Sequence, residues 1–472
     1  MKFFSWYVLG ILLMAGSQAA IAAPSKQDAM FTTSLQKLSG DLTIPGIAFA
    51  VIRDGEIVSK GQLNANPDSP PLTLDTPLRF ASVTKALTAV ALMRAVDRGV
   101  LSLDDSAAKW LPEFADRPQI TVRHLAAHVS EGAPGVEYVY GTQRYAKLGA
   151  ILEKSSNTGF EELLRKEIVT PLRMTWRDSP ALGAHAGFVS TVTDMALFVQ
   201  ALQRDTFFKP RRFDEMTTPY RSSTGDSPAG VGFFAQQIGG TRVVWSFGQD
   251  DPDHSSALLL MVPKRKLALV MLANTDELSN PFRLLMGDIR YSPFATAFLD
   301  AYAPDVGKGI TERERAAQSA LVAVWNQDRE QATQQFRRFS KLGAARADDM
   351  VPHFLGTMLG DPESREFVEG LDRTVLAAHP GNRWVLLMSA GLHEELGHKD
   401  AAAERYQALL VLPNQEQDGL ATLFRAWTYG GLARLSQASD PRIAREYVEK
   451  GLATGVTGGT REELLALRKT LE

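Results

Sequence analysis

The stretch LTLDTPLRFASVTKALTAVALMRAVDRGVLSLDDSAAKWLP, residues 72–112, decides the reading of the chain. Leu87, Val90, Ala91, Arg94 and Ala95 recur at helical spacing, which predicts a helix over 86–98 that Gly99 ends. At the head of that helix stand Ser82 and Lys85. A serine hydroxyl is a weak nucleophile at neutral pH, and an amine one turn along the same face can take its proton. A serine in the first turn also offers its backbone N–H, with the positive end of the helix dipole, to a developing oxyanion. The bare spacing recurs at Ser34 with Lys37 and at Ser106 with Lys109, so spacing alone does not choose among the three pairs. The competing reading of Ser82 is a helix-capping hydroxyl with Lys85 facing solvent.

Working outward, GIAFAVI (46–52) is a short buried-strand run, Asp54-Gly55 offers a hairpin turn, and EIVSK (56–60) returns. A loop with Pro67, Pro70 and Pro71 leads to the Ser82 segment. Further helices are predicted over 145–156 and 159–169, and strands over 230–238, 242–247, 255–262 and 266–273. Strand, helices, strand is the order of an α+β domain, an antiparallel sheet assembled from both ends of the domain and flanked by helices.

Three other segments carry chemistry: HLAAHVSE (124–131), PGVEYVYGTQRYAKLG (134–149) and SFGQDDPDHSS (246–256). Together with the Ser82 block, including Asp75-Thr76 before it and LSLDD (101–105) after it, they resemble the penicillin-recognising serine-hydrolase superfamily that includes class C β-lactamases. The resemblance covers roughly 26–290, is strongest over 74–112, and selects Ser82 and Lys85 over the other two pairs. It implies a β-lactamase/penicillin-binding-protein-like sheet, Ser82 as nucleophile and Lys85 as its base. Tyr140 falls on the tyrosine of the family's Tyr-x-Asn motif, with Tyr138 as competitor; packing aromatics are the alternative for both. A phenol whose pKa is depressed below about 10 by neighbouring cations can shuttle the serine proton as phenolate. Thr142 occupies the asparagine position, one hydroxyl in place of a two-sided amide. His128, in the first of these segments, is read as structural.

The third motif, Lys or His followed by a small residue and Gly, aligns with Gly248-Gln249-Asp250, where the cation and the final glycine are missing. Substrate contacts are therefore expected from Thr142, Gln249, Asp250 and Asp251, with the backbone near Asp251 completing the oxyanion hole. Asp250, Asp251 and Asp253 are expected to repel a substrate carboxylate and to raise the Tyr140 pKa. His254 is a substitute cation or an exposed loop histidine. VMLANT (270–275) resembles the family's closing strand.

The whole chain, 472 residues, exceeds one usual core, and 44% hydrophobic with 22% charged residues is ordinary for globular protein. A formal charge of -3 gives no reason to expect nucleic acid. Met1-Lys2, an apolar run over 3–14 and Ala20-Ile21-Ala22 form the pattern of a signal peptide, 1–22, placing the mature chain in the periplasm or outside the cell. The apolar run falls short of the roughly 20 residues of a membrane span, so no stable anchor is expected after cleavage. Cysteine is absent, which excludes disulfides, thiolate metal sites and a cysteine nucleophile.

After about Asp300, Pro304, Gly307 and Gly309 precede a region with almost no strand-like runs. The expected division is a hydrolase domain over 26–300 and an α-helical domain over 310–472. WVLLMSAGLHEELGHKDAAAERYQALLVLP (384–413) resembles a tetratricopeptide repeat, followed by a weaker unit over 423–436 and 441–452 in which Tyr447 plays the part of Tyr406 and Ala433 is a small packing position. Such helices bind a protein partner or stiffen the hydrolase. His393 and His398 lie five apart rather than four, unlike a metalloprotease helix, and no run forms a phosphate-binding loop; no metal or cofactor is expected. The resemblance implies an exported hydrolase of β-lactamase-related, esterase or peptidase type acting through an acyl-enzyme on a small-molecule or peptide substrate. The rival is a catalytically impaired hydrolase fold serving as a binding module with the helical repeats.

Overall fold

The computed structural model describes residues 25–65, 70–131, 133–209, 211–221, 227–250, 255–412 and 419–471. The leader 1–22, Asp251, Asp253 and His254 lie outside the described residues.

Strand β1 (Gly46–Arg53) turns through Asp54 and Gly55, both at positive φ, into β2 (Glu56–Asn64). Two successive left-handed residues match the twist of a two-residue hairpin. The short strands β3 (Leu78–Arg79) and β4 (Val189–Ser190) pair separately. Strands β5 (Phe234–Ile238), β6 (Thr241–Asp250), β7 (Ser255–Val262) and β8 (Leu267–Ala273) complete a six-stranded antiparallel sheet in the order β2-β1-β8-β7-β6-β5. The sheet is closed by pairing its first segment with its last, Ala50 opposite Val270.

Alternation along β1 divides its side chains between two cores. Ala48, Ala50 and Ile52 face one layer, whereas Ile47, Phe49 and Val51 face the other. The first layer contains the helix Thr84–Asp97, buried on nearly every face, as its continuous apolar content requires. The second contains the helices Lys26–Asp41 and Pro293–Tyr302, with Phe31 edge-on to Phe49 at 5.2 Å and to Phe298 at 6.1 Å.

Three sequence expectations shift. The helix predicted from 145 begins at Thr142. The segment predicted over 159–169 divides into a helical turn, Phe160–Leu164, and a wider π-type turn, Arg165–Val169. The strand expected from 230 starts at Phe234, because Gly230 N–H closes a turn onto the Phe233 carbonyl at 2.8 Å and Gly232 (φ +71°) presses against the Ser82 helix. A β-carbon on Gly232 would stand 2.6 Å from the Lys85 carbonyl, so glycine is required for that approach.

Beyond residue 304 the described chain is helical, from Glu312–Trp325 to Gly458–Thr470. Its first helices continue the second core through Ala317, Leu321, Phe336 and Leu355. A buried pair, Arg313 with Asp349 at 2.6 Å, and the chain His353–Asp372–Ser389, with contacts of 2.9 and 3.0 Å, link polar groups in its interior. Tyr406 on Lys399–Val411 packs over Gly431 of the helix Gly419–Ser436, where a β-carbon would lie 2.2 Å from the ring. The small position against Tyr406 is Gly431; Ala433 is a buried small residue packed with Ala444, Val448 and Tyr447 of the next helix, in the packing role expected of it.

Candidate active site

Ser82 occupies a tight turn, Ala81–Val83, that runs directly into Thr84–Asp97. Ala81 is held at φ +44°, a strained conformation for a residue with a β-carbon. The turn is fixed from outside: Phe80 N–H donates to Phe188 O at 2.9 Å, Thr84 Oγ1 to Ala81 O at 2.6 Å, and Phe188 N–H to Thr84 Oγ1 at 3.1 Å.

One helical turn on, Lys85 is 3% exposed. Its Nζ donates to Ser82 Oγ at 2.8 Å and to the His185 carbonyl at 2.9 Å. Burial disfavours the ammonium and lowers the Lys85 pKa to about 7, so a neutral amine is available near neutrality. The solvent-facing alternative for Lys85 does not hold. Tyr140 and Tyr145 wall the amine, with Nζ 5.0 and 5.6 Å from their ring centres, and Tyr145 hydroxyl anchors the helix by donating to Lys85 O at 2.9 Å.

Tyr140 lies near enough to Ser82 for the serine to favour its ionised form, against burial. Tyr138 turns away and donates to Leu285 O at 2.7 Å, so geometry separates the two competing tyrosines. Burial pushes the Tyr140 pKa upward, with Ser82 opposing, so the resting group is a phenol; the rise is in the expected direction. His128 is buried, tilted against Tyr140 at 4.5 Å and stacked on Tyr145 at 5.3 Å; its Nδ1 accepts from Gly141 N–H at 3.2 Å. Desolvation and the nearby Lys85 keep its pKa well below the usual histidine value.

Thr142 opens the helix Thr142–Ser156 and is half-buried. Among the described residues no hydrogen bond joins it to Ser82, Lys85 or Tyr140; the second acceptor for the lysine is the His185 carbonyl. Sequence reasoning missed His185, since a backbone carbonyl leaves no residue signature.

The third-motif segment also differs from expectation. A side chain at Gly248 would put its β-carbon 2.2 Å from Phe80 O, so no cation can project from that position. The β6 residue beside Tyr140 is Phe247, with ring centres 5.6 Å apart, and Phe234 stacks on the same tyrosine at 6.3 Å. Gln249 lies opposite Ser256 in the ladder with β7. Asp250 Oδ2 lies 3.5 Å from Arg79 Nη1, with side-chain exposures of 13% and 25%, so its charge is answered by an arginine. The rise in the Tyr140 pKa comes from burial and not from Asp250.

An antiparallel sheet over a buried helix that presents a serine–lysine pair with a tyrosine defines the penicillin-recognising serine-hydrolase superfamily. The Beta-lactamase family matches residues 31–285, more than half of the 472, and the chain belongs to that family. It is 32% identical over 235 residues to esterase EstB of Burkholderia gladioli, covering 44% of this chain and 57% of the esterase. It is 26% identical over 245 residues to a beta-lactamase of Escherichia coli (strain K12), covering 40% of this chain and 65% of that enzyme. The chain thus spans about three fifths of the length of these curated relatives. The octameric penicillin-binding protein homologue from Pyrococcus abyssi shares the fold, with TM-score 0.52 and 20% identity over 62% of this chain and 81% of that one.

Proposed function

We propose that the chain is an exported serine hydrolase that acts through an acyl-enzyme on an ester or amide lacking a recognition carboxylate. The observation that carries this reading is the buried Lys85 amine, held on Ser82 Oγ at 2.8 Å with its pKa lowered to about 7. In acylation Ser82 Oγ bonds to the substrate carbonyl carbon and its proton passes to Lys85. The Ser82 N–H at the helix start faces the oxyanion. Tyr140 gives its proton to the leaving alcohol or amine as the carbon–heteroatom bond breaks, and recovers one from Lys85. Water then attacks the ester carbonyl and loses its proton to Lys85, which returns one to Ser82 Oγ as the acyl–oxygen bond breaks.

The third motif's missing cation, with the aromatic Phe247 beside Tyr140 instead, favours substrates without a carboxylate over carboxylate-bearing β-lactams. The esterase among the relatives supports the same choice. The rival reading, an impaired fold used for binding, draws on the departures at Thr142, Gly248 and Asp250. Intact-protein mass spectrometry after fluorophosphonate or penicillin treatment decides between them: a covalent adduct lost in Ser82→Ala is expected. A folded protein with no adduct and no ester or amide turnover refutes the enzyme. Export through residues 1–22 is tested by N-terminal sequencing of the mature chain, expected to begin after Ala22. The paired helices Arg383–Glu395 with Lys399–Val411, and Gly419–Ser436 with Pro441–Ala453, support a tetratricopeptide-like character and a protein partner for the C-terminal region.

A further inference from the structure

Tyr140 belongs to a segment, 133–141, that has neither helix nor strand, so no ladder fixes it and its place over Ser82 depends on individual tethers. The inner tethers come from the hydrolase fold itself. Val139 N–H donates to His128 O at 2.9 Å, Gly141 N–H to His128 Nδ1 at 3.2 Å, and Tyr138 hydroxyl to Leu285 O at 2.7 Å. The outer tethers come from far along the chain, at the turn that starts the helix Arg383–Glu395.

There, Gly381 N–H donates to Glu137 Oε1 at 2.8 Å and Asn382 Nδ2 to Tyr138 O at 3.4 Å. Arg383 Nη1 stands 2.6 Å from Glu131 Oε2, with side-chain exposures of 12% and 10%. Asn382 also caps its own helix by accepting from Trp384 and Val385 N–H, which locks the turn to a rigid element. Gly381 fits because it lacks a side chain; a β-carbon would lie 2.5 Å from Glu137 Oε1. A nearly buried ion pair is costly to break by removing one partner, so this contact is built to stay closed.

We infer that the C-terminal helical region is a working part of the active site: Arg383, with Gly381 and Asn382, is a positioning element that holds the Tyr140 loop over Ser82. This rests on the acyl-enzyme reading of Ser82. Ser82 and Lys85 are fixed by their own helix, whereas Tyr140 is the member that loses its outer wall when the contact opens. The consequence is selective: transfer of a proton to the leaving group slows, and substrate binding does not.

The test compares full-length wild type with Arg383→Ala, Arg383→Lys and the charge-swapped pair Glu131→Arg with Arg383→Glu, on an alkyl ester and on a nitrophenyl ester of the same acid. Nitrophenolate leaves without a proton, so it is spared. The expected result for Arg383→Ala is a fall in kcat of about a hundred-fold on the alkyl ester with KM unchanged, and of less than about ten-fold on the nitrophenyl ester. Arg383→Lys and the charge swap recover most of the loss. Hydrogen exchange at Val139 and Gly141 is expected to quicken in Arg383→Ala while the helix Thr84–Asp97 keeps its protection. Equal losses on both esters, no loss at all, or unchanged exchange at Val139 and Gly141 overturns the inference. A wild type that turns over neither ester and takes no Ser82 adduct defeats the acyl-enzyme reading instead, and the exchange comparison still decides whether Arg383 holds the loop.

Discussion

Gly248 lies so close to Phe80 that a β-carbon there would stand 2.2 Å from the Phe80 carbonyl oxygen and 3.3 Å from Ala81 Cβ. The strand opposite the nucleophile is therefore seated on the strained turn that presents Ser82. Gly248→Ala must push β6 away from this turn, at a cost of about 1–3 kcal/mol for overpacking. The expected outcome is a lower denaturation midpoint together with slower fluorophosphonate labelling of Ser82. Wild-type values for both would show that strand and turn are not mechanically linked.

Lys85 sets a pH dependence whose direction follows from burial. Only the neutral amine accepts the Ser82 proton, so kcat/KM is expected to rise with pH through about 7, the value to which burial lowers this lysine. Stability follows the same group. With its folded-state pKa below the usual 10.5, the penalty for burying the amine is complete below about 7 and fades as pH rises toward 10.5. Lys85→Met is thus expected to be inactive yet more stable than wild type at pH 6, the gap narrowing as the buffer is made alkaline. Chemical denaturation of both proteins across that range provides the check; a gap independent of pH contradicts the neutral-lysine assignment.

Tyr140→Phe keeps the ring beside Lys85 but removes the hydroxyl that meets Ser82. A loss in kcat of about 10²–10⁴ is expected on alkyl esters, with little change in melting temperature. Tyr138→Phe gives up the bond to Leu285 O, one inner tether of the loop, costing about 1 kcal/mol of stability, and is expected to lower kcat far less than Tyr140→Phe does. Interchanged results would reassign the proton relay to Tyr138.

Phe247→His places a titratable donor beside Tyr140 where the structure has an aromatic wall. The ratio of kcat/KM for a carboxylate-bearing ester to that for its neutral analogue is expected to increase, at some cost in stability because the site is buried. A ratio unchanged from wild type, measured at a pH where the imidazole is protonated, would mean that position 247 does not face the substrate carboxylate.

The sheet was legible because its strands are continuous apolar runs: β1, β7 and β8 are buried on both faces, and such strands announce themselves without alternation. Ser82 and Lys85 were singled out for another reason: their spacing recurs at two other pairs, and the surrounding block over 72–112 chose this one. Tyr140 needed coordinates to be separated from Tyr138, because the choice depends on which hydroxyl turns toward Leu285. The third motif aligns with Gly248-Gln249-Asp250, and only the coordinates show that Gly248 has no room for a side chain and that Phe247 is the residue of this strand beside Tyr140. The second acceptor for Lys85, a carbonyl one hundred residues away, and the contact of Arg383 with Glu131 have no local pattern at all. Both are products of tertiary closure, so a reading that moves along the chain does not meet them.

Strand β1 has a consequence for synthesis. It leaves the ribosome early, with β2 beside it, but its other edge waits for β8, whose Val270 is the partner of Ala50. Until that segment has been translated, an apolar strand edge stands open, and long-range pairing of this kind is slow. Truncated products ending before β8 are therefore expected to aggregate through GIAFAVIR. A nascent chain also carries its serine nucleophile without the opposing strand, so hydrolytic competence arrives only when the distant end of the sheet is in place.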